Sequence, residues 1–410
     1  MRILLVDDEI RLVDGLRRTL RLERPSWQVK TALSGLEALQ LLQRESFDVL
    51  VTDMQMPGMD GASLLREAQL LAPETVRIIL SGHAGQERIQ SCEDAYHQYL
   101  GKPIDPEHFI SLLDDMNEST KRPESLRARR LVAGLPCVPS LPSLYEQLVR
   151  VLKEDSPTVE ELIELLRFDL GMASKLLKLA NCCGKGPGDT PMDLYQALSQ
   201  LSIDQFEQSV FRYGALAVAP SPAPSGLDLN ELWEHSNMVA QVARSIALTE
   251  GHDATAVNLC HLSGLFHDLG RVLLASDPAL DYRRVMELTE APNRPLVADL
   301  ERNFYGTTHA EVGAELLWLW GVDKRVCNLV RHHHQPAVAA PDAEFLSILR
   351  FADAWCTGLV LSSPSPYADG SFDLQELRDP RNLQRARILA QHLPLNPWTR
   401  WSSSGNALPS

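Results

Sequence analysis

The 410-residue chain has no CxxC pair, and its only close cysteines, Cys182 and Cys183, are adjacent. Zinc-finger spacing is therefore absent, and seven cysteines without a framework point to reduced thiols in a cytosolic compartment. No apolar run approaches the ~20 residues needed to span a bilayer. The most apolar stretch, near Leu259–Ala275, contains His261, His267, Asp268 and Arg271, so no membrane association is expected. Positive charge is also short: 39 Lys and Arg face 54 Asp and Glu, a formal net charge of −15. Direct binding to duplex DNA is not expected, because it needs cations to neutralise phosphates. No internal repeat is evident, which argues against a solenoid. The opening MRILLVDDE enters a strand pattern with no signal-peptide h-region, and a cytoplasmic location is expected.

What is present is globular. Hydrophobic residues make up 44% and charged residues 23%, enough for real cores, and the length predicts two or three domains. Residues 1–117 alternate short apolar runs with helix-period segments. Strands are expected at Ile3–Val6, Gln28–Ala32, Asp48–Thr52, Arg77–Leu80 and Tyr99–Gly101. Helices are expected at Arg11–Leu22, Leu36–Gln43, Ala62–Leu71, Gln86–Tyr96 and Pro106–Met116. Ser34 and Glu37 match a capping box for the second of these. The alternation implies an α/β unit: a doubly wound, five-stranded parallel sheet, whose function lies at the carboxyl ends of the strands.

Residues 118–131 are polar and basic and read as a linker. Residues 132–355 read as an all-α domain, 356–400 as a helical extension and 401–410 as a disordered tail. Ser156 or Thr158 can cap a helix starting near Val159. The Lys121–Arg130 cluster could touch RNA or an anionic surface, but it lacks interleaved aromatics and reads as a solvated linker. Trp318 and Trp320 read as helix packing.

The strand ends of the first unit carry chemistry. Asp7 and Asp8 follow the first strand, Asp53 the third, Ser81 the fourth and Lys102 the fifth. Clustered carboxylates repel unless a cation is near, and oxygen ligands with retained water suit Mg²⁺. Asp53 could then form an aspartyl phosphate. The segments ILLVDDE (3–9), VTDMQMPGMDG (51–61), ILSGHAG (79–85) and YLGKP (99–103) resemble the receiver domain of two-component response regulators. The resemblance implies a flavodoxin-like fold, Asp53 as phosphoacceptor, and Mg²⁺ held by Asp7, Asp8, Asp53 and the backbone carbonyl of Gln55. It also implies Ser81, Tyr99 and Lys102 as switch residues, a sensor histidine kinase as partner, and a phosphorelay.

The second half holds a pointed set: His235, His267-Asp268 in GLFHDLGR, His309, the run His332–His334, and Asp353. Imidazoles and carboxylates on several helices can converge in a bundle core. The plainer reading is that they hydrogen-bond there. Their order matches the HD phosphohydrolase superfamily, and the fuller resemblance is to the HDOD output domain. Leu135-Pro136, Leu141-Pro142, Phe168-Asp169, Leu232-Trp233, GLFHDLGRVLL, THAEVG and HHQP (333–336) carry that resemblance. It implies a non-catalytic module that binds a signalling protein or a cyclic nucleotide. The alternative is a metal-dependent phosphohydrolase of a nucleotide second messenger, with Fe, Mn or Zn held by His235, His267, Asp268, His309, His333 and Asp353. His334 replaces His333 if the register slips by one. The GYP motif of cyclic-di-GMP-hydrolysing relatives is absent, and Arg271 stands where they have Lys. Phosphorylation is expected to repack the fourth- and fifth-strand face against the helical domain, or against a second subunit in a homodimer.

Overall fold

The structure is a computed structural model. It describes residues 1–82, 92, 95–119, 123–134, 138–154, 157–183, 190–213, 216, 226–277, 279–289, 296–335, 342–357 and 379–392. The first unit comprises β1 (Arg2–Val6), α1 (Ile10–Glu23), β2 (Gln28–Ala32), α2 (Gly35–Arg44), β3 (Val49–Asp53), α3 (Gly61–Leu71), β4 (Val76–Ser81), β5 (Gln98–Gly101) and α4 (Pro106–Ser119). All five strands are parallel, in the order β2-β1-β3-β4-β5. Both sheet faces are covered, so the inner strands β1, β3 and β4 are largely apolar, while the edge strands β2 (QVKTA) and β5 (QYLG) carry polar positions. Ile3, Leu5, Val49, Val51, Ile78 and Leu80 enter one core, and their neighbours Leu4, Val6, Leu50 and Ile79 enter the other. The helix expected at Gln86–Tyr96 lies largely outside the described residues.

Ser34 caps α2 by accepting from the Glu37 N–H, while the Glu37 carboxylate accepts from Leu33 N rather than Ser34 N. The helical domain follows as α5 (Pro123–Gly134), α6 (Pro142–Val151), α7 (Val159–Leu166), α8 (Leu170–Cys183), α9 (Leu194–Leu201), α10 (Ile203–Tyr213), α11 (Leu229–Thr249), α12 (Ala254–Phe266), α13 (Leu269–Ser276), α14 (Tyr282–Thr289), α15 (Val297–Tyr305), α16 (His309–Leu319), α17 (Lys324–His332), α18 (Ala343–Cys356) and α19 (Pro380–His392). Thr158, not Ser156, caps α7, in a full capping box with Glu161. The expected tail, 401–410, lies outside the described residues, as does most of 356–378.

The stretch expected to be a solvated linker is different in the structure. Residues 123–134 form α5, which packs on α16 and buries Ala128, Arg129, Val132 and Ala133. Its basic residues are not equivalent. Arg130 is exposed, whereas the Arg129 guanidinium lies 2.6 Å from Glu315 of α16 and over the Trp318 ring. A buried carboxylate on the facing helix is what turns a polar-looking segment into packed structure.

The two units share one apolar cluster, which runs from Ile3 through Met116 and Val132 to Leu177 and Leu317. Polar contacts cross the same boundary. The Lys178 ammonium of α8 donates to the Tyr96 carbonyl at 2.7 Å, with the Tyr96 ring 4.6 Å and the Trp320 ring 5.0 Å away. Gln98 of β5 donates to the Trp318 carbonyl, Arg77 of β4 to the Ala133 carbonyl, and Lys324 to Asp115.

Helices α13 and α16 cross at Gly270. A Cβ there would lie 1.9 Å from the His309 carbonyl oxygen. Gly270→Ala should therefore cost about 3 kcal/mol, because backbone must move. Gly15→Ala, in open space on α1, should be neutral or stabilise by up to ~1 kcal/mol. Urea denaturation followed by circular dichroism checks the contrast; equal midpoints for the two variants would contradict it.

Candidate functional site

The carboxyl edge of the sheet gathers the residues expected there. Carboxylate oxygens of Asp7, Asp8 and Asp53 lie within 4.8 Å of one another. Asp7 and Asp53 are buried and Asp8 is exposed. The Lys102 ammonium sits 2.8 Å from Asp7 Oδ2 and 2.5 Å from Asp53 Oδ1. Burial works to lower the Lys102 pKa, but the hydrogen bonds to Asp53 and Asp7 prevail and hold it above the usual lysine value. Asp53 Oδ2 accepts from the Gln55 N–H at 3.0 Å. Gly61 passes so close behind that a Cβ would fall 2.2 Å from the Asp53 carbonyl. Gly58, with φ +80°, turns the chain in the loop after β3. Ser81 is buried at the end of β4, and the Tyr99 hydroxyl donates to its carbonyl at 3.2 Å. Each carboxylate needs a counter-charge, and three carboxylates beside one ammonium leave room for a divalent cation of the Mg²⁺ type.

The second cluster lies in the core of the helical domain. His235 comes from α11, His267 and Asp268 from the junction of α12 and α13, His309 from the start of α16, His333 and His334 from the end of α17, and Asp353 from α18. All six residues expected to converge do so, and His333 and His334 both take part. One set surrounds His267 Nε2, which is 3.6 Å from Asp268 Oδ2 and 3.8 Å from Asp353 Oδ1. His235 Nε2 is 3.2 Å from the same Asp353 oxygen. The other set comprises His309, His333 and His334, with His309 Nε2 3.3 Å from Asp268 Oδ1. Asp268 thus offers one oxygen to each set.

The tautomers follow from the hydrogen bonds. His267 Nδ1–H donates to the Gly264 carbonyl at 2.8 Å, and His333 Nδ1–H to the Val330 carbonyl at 2.6 Å. Each Nε2 therefore carries a lone pair, and each is buried without a hydrogen-bond partner among the described residues. Burial keeps both rings below the usual histidine pKa, so they are neutral ligands. His309 Nδ1 lies 2.6 Å from Glu301 Oε2, and its Nε2 lies 2.6 Å from His334 Nε2. With the His309 proton given to Glu301, that nitrogen pair needs a proton on His334 or a cation between the rings.

Sequence reasoning missed Glu301 and Tyr282. Glu301 is fully buried, accepts from Tyr282 Oη at 2.6 Å, and orients His309. Burial would raise its pKa, but His309 and the Tyr282 hydroxyl hold it below the usual value. A carboxylate on a neighbouring helix leaves no spacing signal in the sequence. The role of Arg271 was also hidden: its Nε is 3.0 Å from Asp268 Oδ1, both side chains being 1% exposed. Burial pushes the Asp268 carboxyl up; the guanidinium, with His267 and His309, overrides that and holds it far below the usual range. Lone-pair nitrogens, carboxylates and a carboxylate behind one histidine fit a divalent transition metal.

Comparison with known proteins places two families on the chain. The response regulator receiver domain matches residues 3–114 and the HDOD domain residues 138–336. The hydrogenase transcriptional regulatory protein HoxA of Cupriavidus necator is 42% identical over 110 residues, covering 26% of this chain and 22% of HoxA. An uncharacterised protein of Treponema pallidum is 25% identical over 258 residues, 62% of this chain and 49% of that one. The chain thus spans about a fifth to a half the length of these relatives. The crystal structure of the MmoQ response regulator of Methylococcus capsulatus shares 18% identity, covers 62% of this chain and 90% of that one, and superposes with a TM-score of 0.46. No helix among the described residues is long and apolar enough to cross a membrane.

The buried histidines set a pH dependence. His261 of α12 lies 3.3 Å from the Ala240 carbonyl and is pushed down to about 4, chiefly by burial. His97, His267 and His333 shift the same way. Between an unfolded pKa near ~6.5 and the folded value, only the unfolded chain takes up the proton, so stability falls as pH drops through that window. Unfolding free energies from urea titrations at pH 7 and pH 4.5 should differ by about 2 kcal/mol from His261 alone, discounted for its partial exposure. His261→Gln should flatten the slope; an unchanged slope would refute this account.

Proposed function

This chain joins a response regulator receiver domain to an HDOD domain, and from that premise we propose that phosphoryl transfer to Asp53 sets the state of the helical domain through the β4–β5 edge. The observation that carries the reading is continuity. Lys102, bridging Asp7 and Asp53, follows β5, and β5 leads back through Gln98 and Tyr96 into the buried contacts with Trp318 and Lys178. A receiver implies a histidine kinase as phosphoryl donor and Mg²⁺ as cofactor. Asp7, Asp8, Asp53 and the Gln55 carbonyl would hold the ion, which neutralises the pocket as charge arrives. An Asp53 oxygen attacks phosphorus, and the donor atom leaves with its bonding pair. Lys102 then has one carboxylate fewer and a phosphoryl group to pair with. Ser81, at the end of β4, would donate to that group, and Tyr99, bonded to the Ser81 carbonyl, would move with it.

The added charge biases an element with two arrangements. The Lys178 ammonium, held between two rings and a carbonyl of the other domain, reports which arrangement is present. The output is then recognition of a signalling partner or nucleotide by the helical domain. Incubation with acetyl phosphate and Mg²⁺ should add one phosphoryl mass to the wild type and none to Asp53→Asn. Hydrogen exchange at residues 95–101 and 170–181 should rise on phosphorylation. No mass gain, or protection unchanged by it, would sink the proposal.

A second reading has its own support: a metal-dependent phosphohydrolase acting on a nucleotide second messenger. Two ligand sets share Asp268, and the orphaned Nε2 atoms of His267 and His333 point to bound metal. His235, His267, Asp268 and Asp353 would hold one ion, and His309, His333 and His334 with Asp268 a second. Such ions supply an activated water for phosphoester cleavage. Purified protein should then carry Fe, Mn or Zn in stoichiometric amounts, and His267→Ala with Asp268→Ala should lose it. Metal-free wild type after growth in metal-supplemented medium would refute this reading and leave the first intact.

A further inference from the structure

A cavity of about 140 Å³ opens beside the histidine cluster, lined in part by Arg302, Arg331, His334, Gln335, Asp299 and Glu311. His334 belongs to both places: its Nε2 faces His309, and its side chain forms cavity wall. The two arginines are under-used. Among the described residues the Arg302 side chain makes no hydrogen bond, its nearest carboxylates being Glu311 at 3.8 Å and Asp299 at 4.0 Å. Among the described residues the Arg331 guanidinium makes two polar contacts, both long: 3.4 Å to Glu315 and 3.5 Å to Ser125. A guanidinium has five N–H donors in a fork that matches phosphate oxygens. Glu311 competes little for them, because its Oε2 accepts from Thr308 N and Thr307 Oγ1. Its other oxygen and Asp299 can accept from hydroxyls.

We propose that this cavity binds the phosphoryl group of a sugar phosphate, with the arginines on phosphate oxygens and the free carboxylate oxygens on sugar hydroxyls. The volume accommodates a phosphate, and the rest of the ligand extends outward. The inference rests on the nucleotide-binding reading of the helical domain, but not on a bound metal.

The test uses the full-length protein with EDTA present, so that neither metal position contributes and the receiver's carboxylates repel anions. Inorganic phosphate and adenosine 5′-monophosphate are titrated separately by calorimetry, and metal content is measured on untreated samples. Saturable binding of one equivalent is expected, weakened at least tenfold by Arg302→Gln and by Arg331→Gln, and partly restored by Arg302→Lys. Arg302 is 44% exposed at its side chain, so its variants should fold even where Arg331→Gln does not. Tighter binding of the monophosphate supports the sugar-phosphate assignment; binding no tighter than phosphate overturns the role given to the carboxylates. Absent binding, or equal binding in Arg302→Gln, overturns the site. Metal present without phosphate binding sinks this inference alone; phosphate binding without metal sinks the phosphohydrolase reading alone.

Discussion

A charge taken out of water must find an opposite charge or a hydrogen-bond partner inside the protein, and this requirement joins the two halves of the molecule. The Arg129 guanidinium is 6% exposed, and Glu315 beneath it 1% exposed. Breaking a buried pair by removing one partner costs about 3–5 kcal/mol, because the other charge is stranded. Arg129 also donates to the Met116 carbonyl at the end of α4, and Glu315 extends to Arg331. One ion cluster therefore reaches from the last receiver helix through α5 to α17, the helix that leads into His333 and His334. The same rule places Lys178 against the Tyr96 carbonyl, Lys102 between two aspartates, and Arg271 on Asp268.

Much of this could be read from residue order. The sheet was legible because strands buried on both faces are nearly continuous apolar runs, and β1, β3 and β4 are such runs. The acidic pocket was legible because a parallel sheet brings all its strand ends to one edge, so Asp7, Asp53, Ser81 and Lys102 had to meet. The histidine cluster was legible as a set of residue types, but its internal arrangement was not. Whether His333 or His334 joins depends on how α17 ends; the structure brings both, their tilted rings lying 3.7 Å apart between centroids just past the helix end. Glu301 and Tyr282 stayed hidden because a hydrogen bond between helices has no period. The 118–131 segment misled because composition records polarity and not the partner: Arg129 and Arg130 look alike in sequence, and only Arg129 faces a buried carboxylate.

The histidine cluster also illustrates how a polar core remains soluble in its own fold. Three carboxylates, Asp268, Asp353 and Glu301, lie among five imidazoles and one guanidinium. With neutral imidazoles that is a net charge of minus two, which a low-dielectric interior does not tolerate alone. One divalent ion would balance it to zero, a second would need an accompanying anion such as hydroxide or a phosphate, and protons on two histidines would also bring it to zero. The depressed pKa values of His267 and His333 argue against those two rings carrying the protons. Metal occupancy thus has an electrostatic rationale apart from ligand geometry.

Arg331 connects the two ends of the molecule's chemistry. It lines the cavity next to His334, and it shares Glu315 with Arg129. Glu315 is bonded more closely to Arg129, at 2.6 Å against 3.4 Å, so the guanidinium at the cavity is the looser partner. An anion that draws Arg331 outward leaves Glu315 to Arg129 and tightens α5 on α16; a receiver that draws Arg129 away leaves Glu315 to Arg331 and lowers its attraction for an anion. Linkage requires these two effects to be equal in free energy. If the proposed phosphorylation of Asp53 moves Arg129 and the proposed anion engages Arg331, the two events would be coupled through one carboxylate, with opposite demands on it.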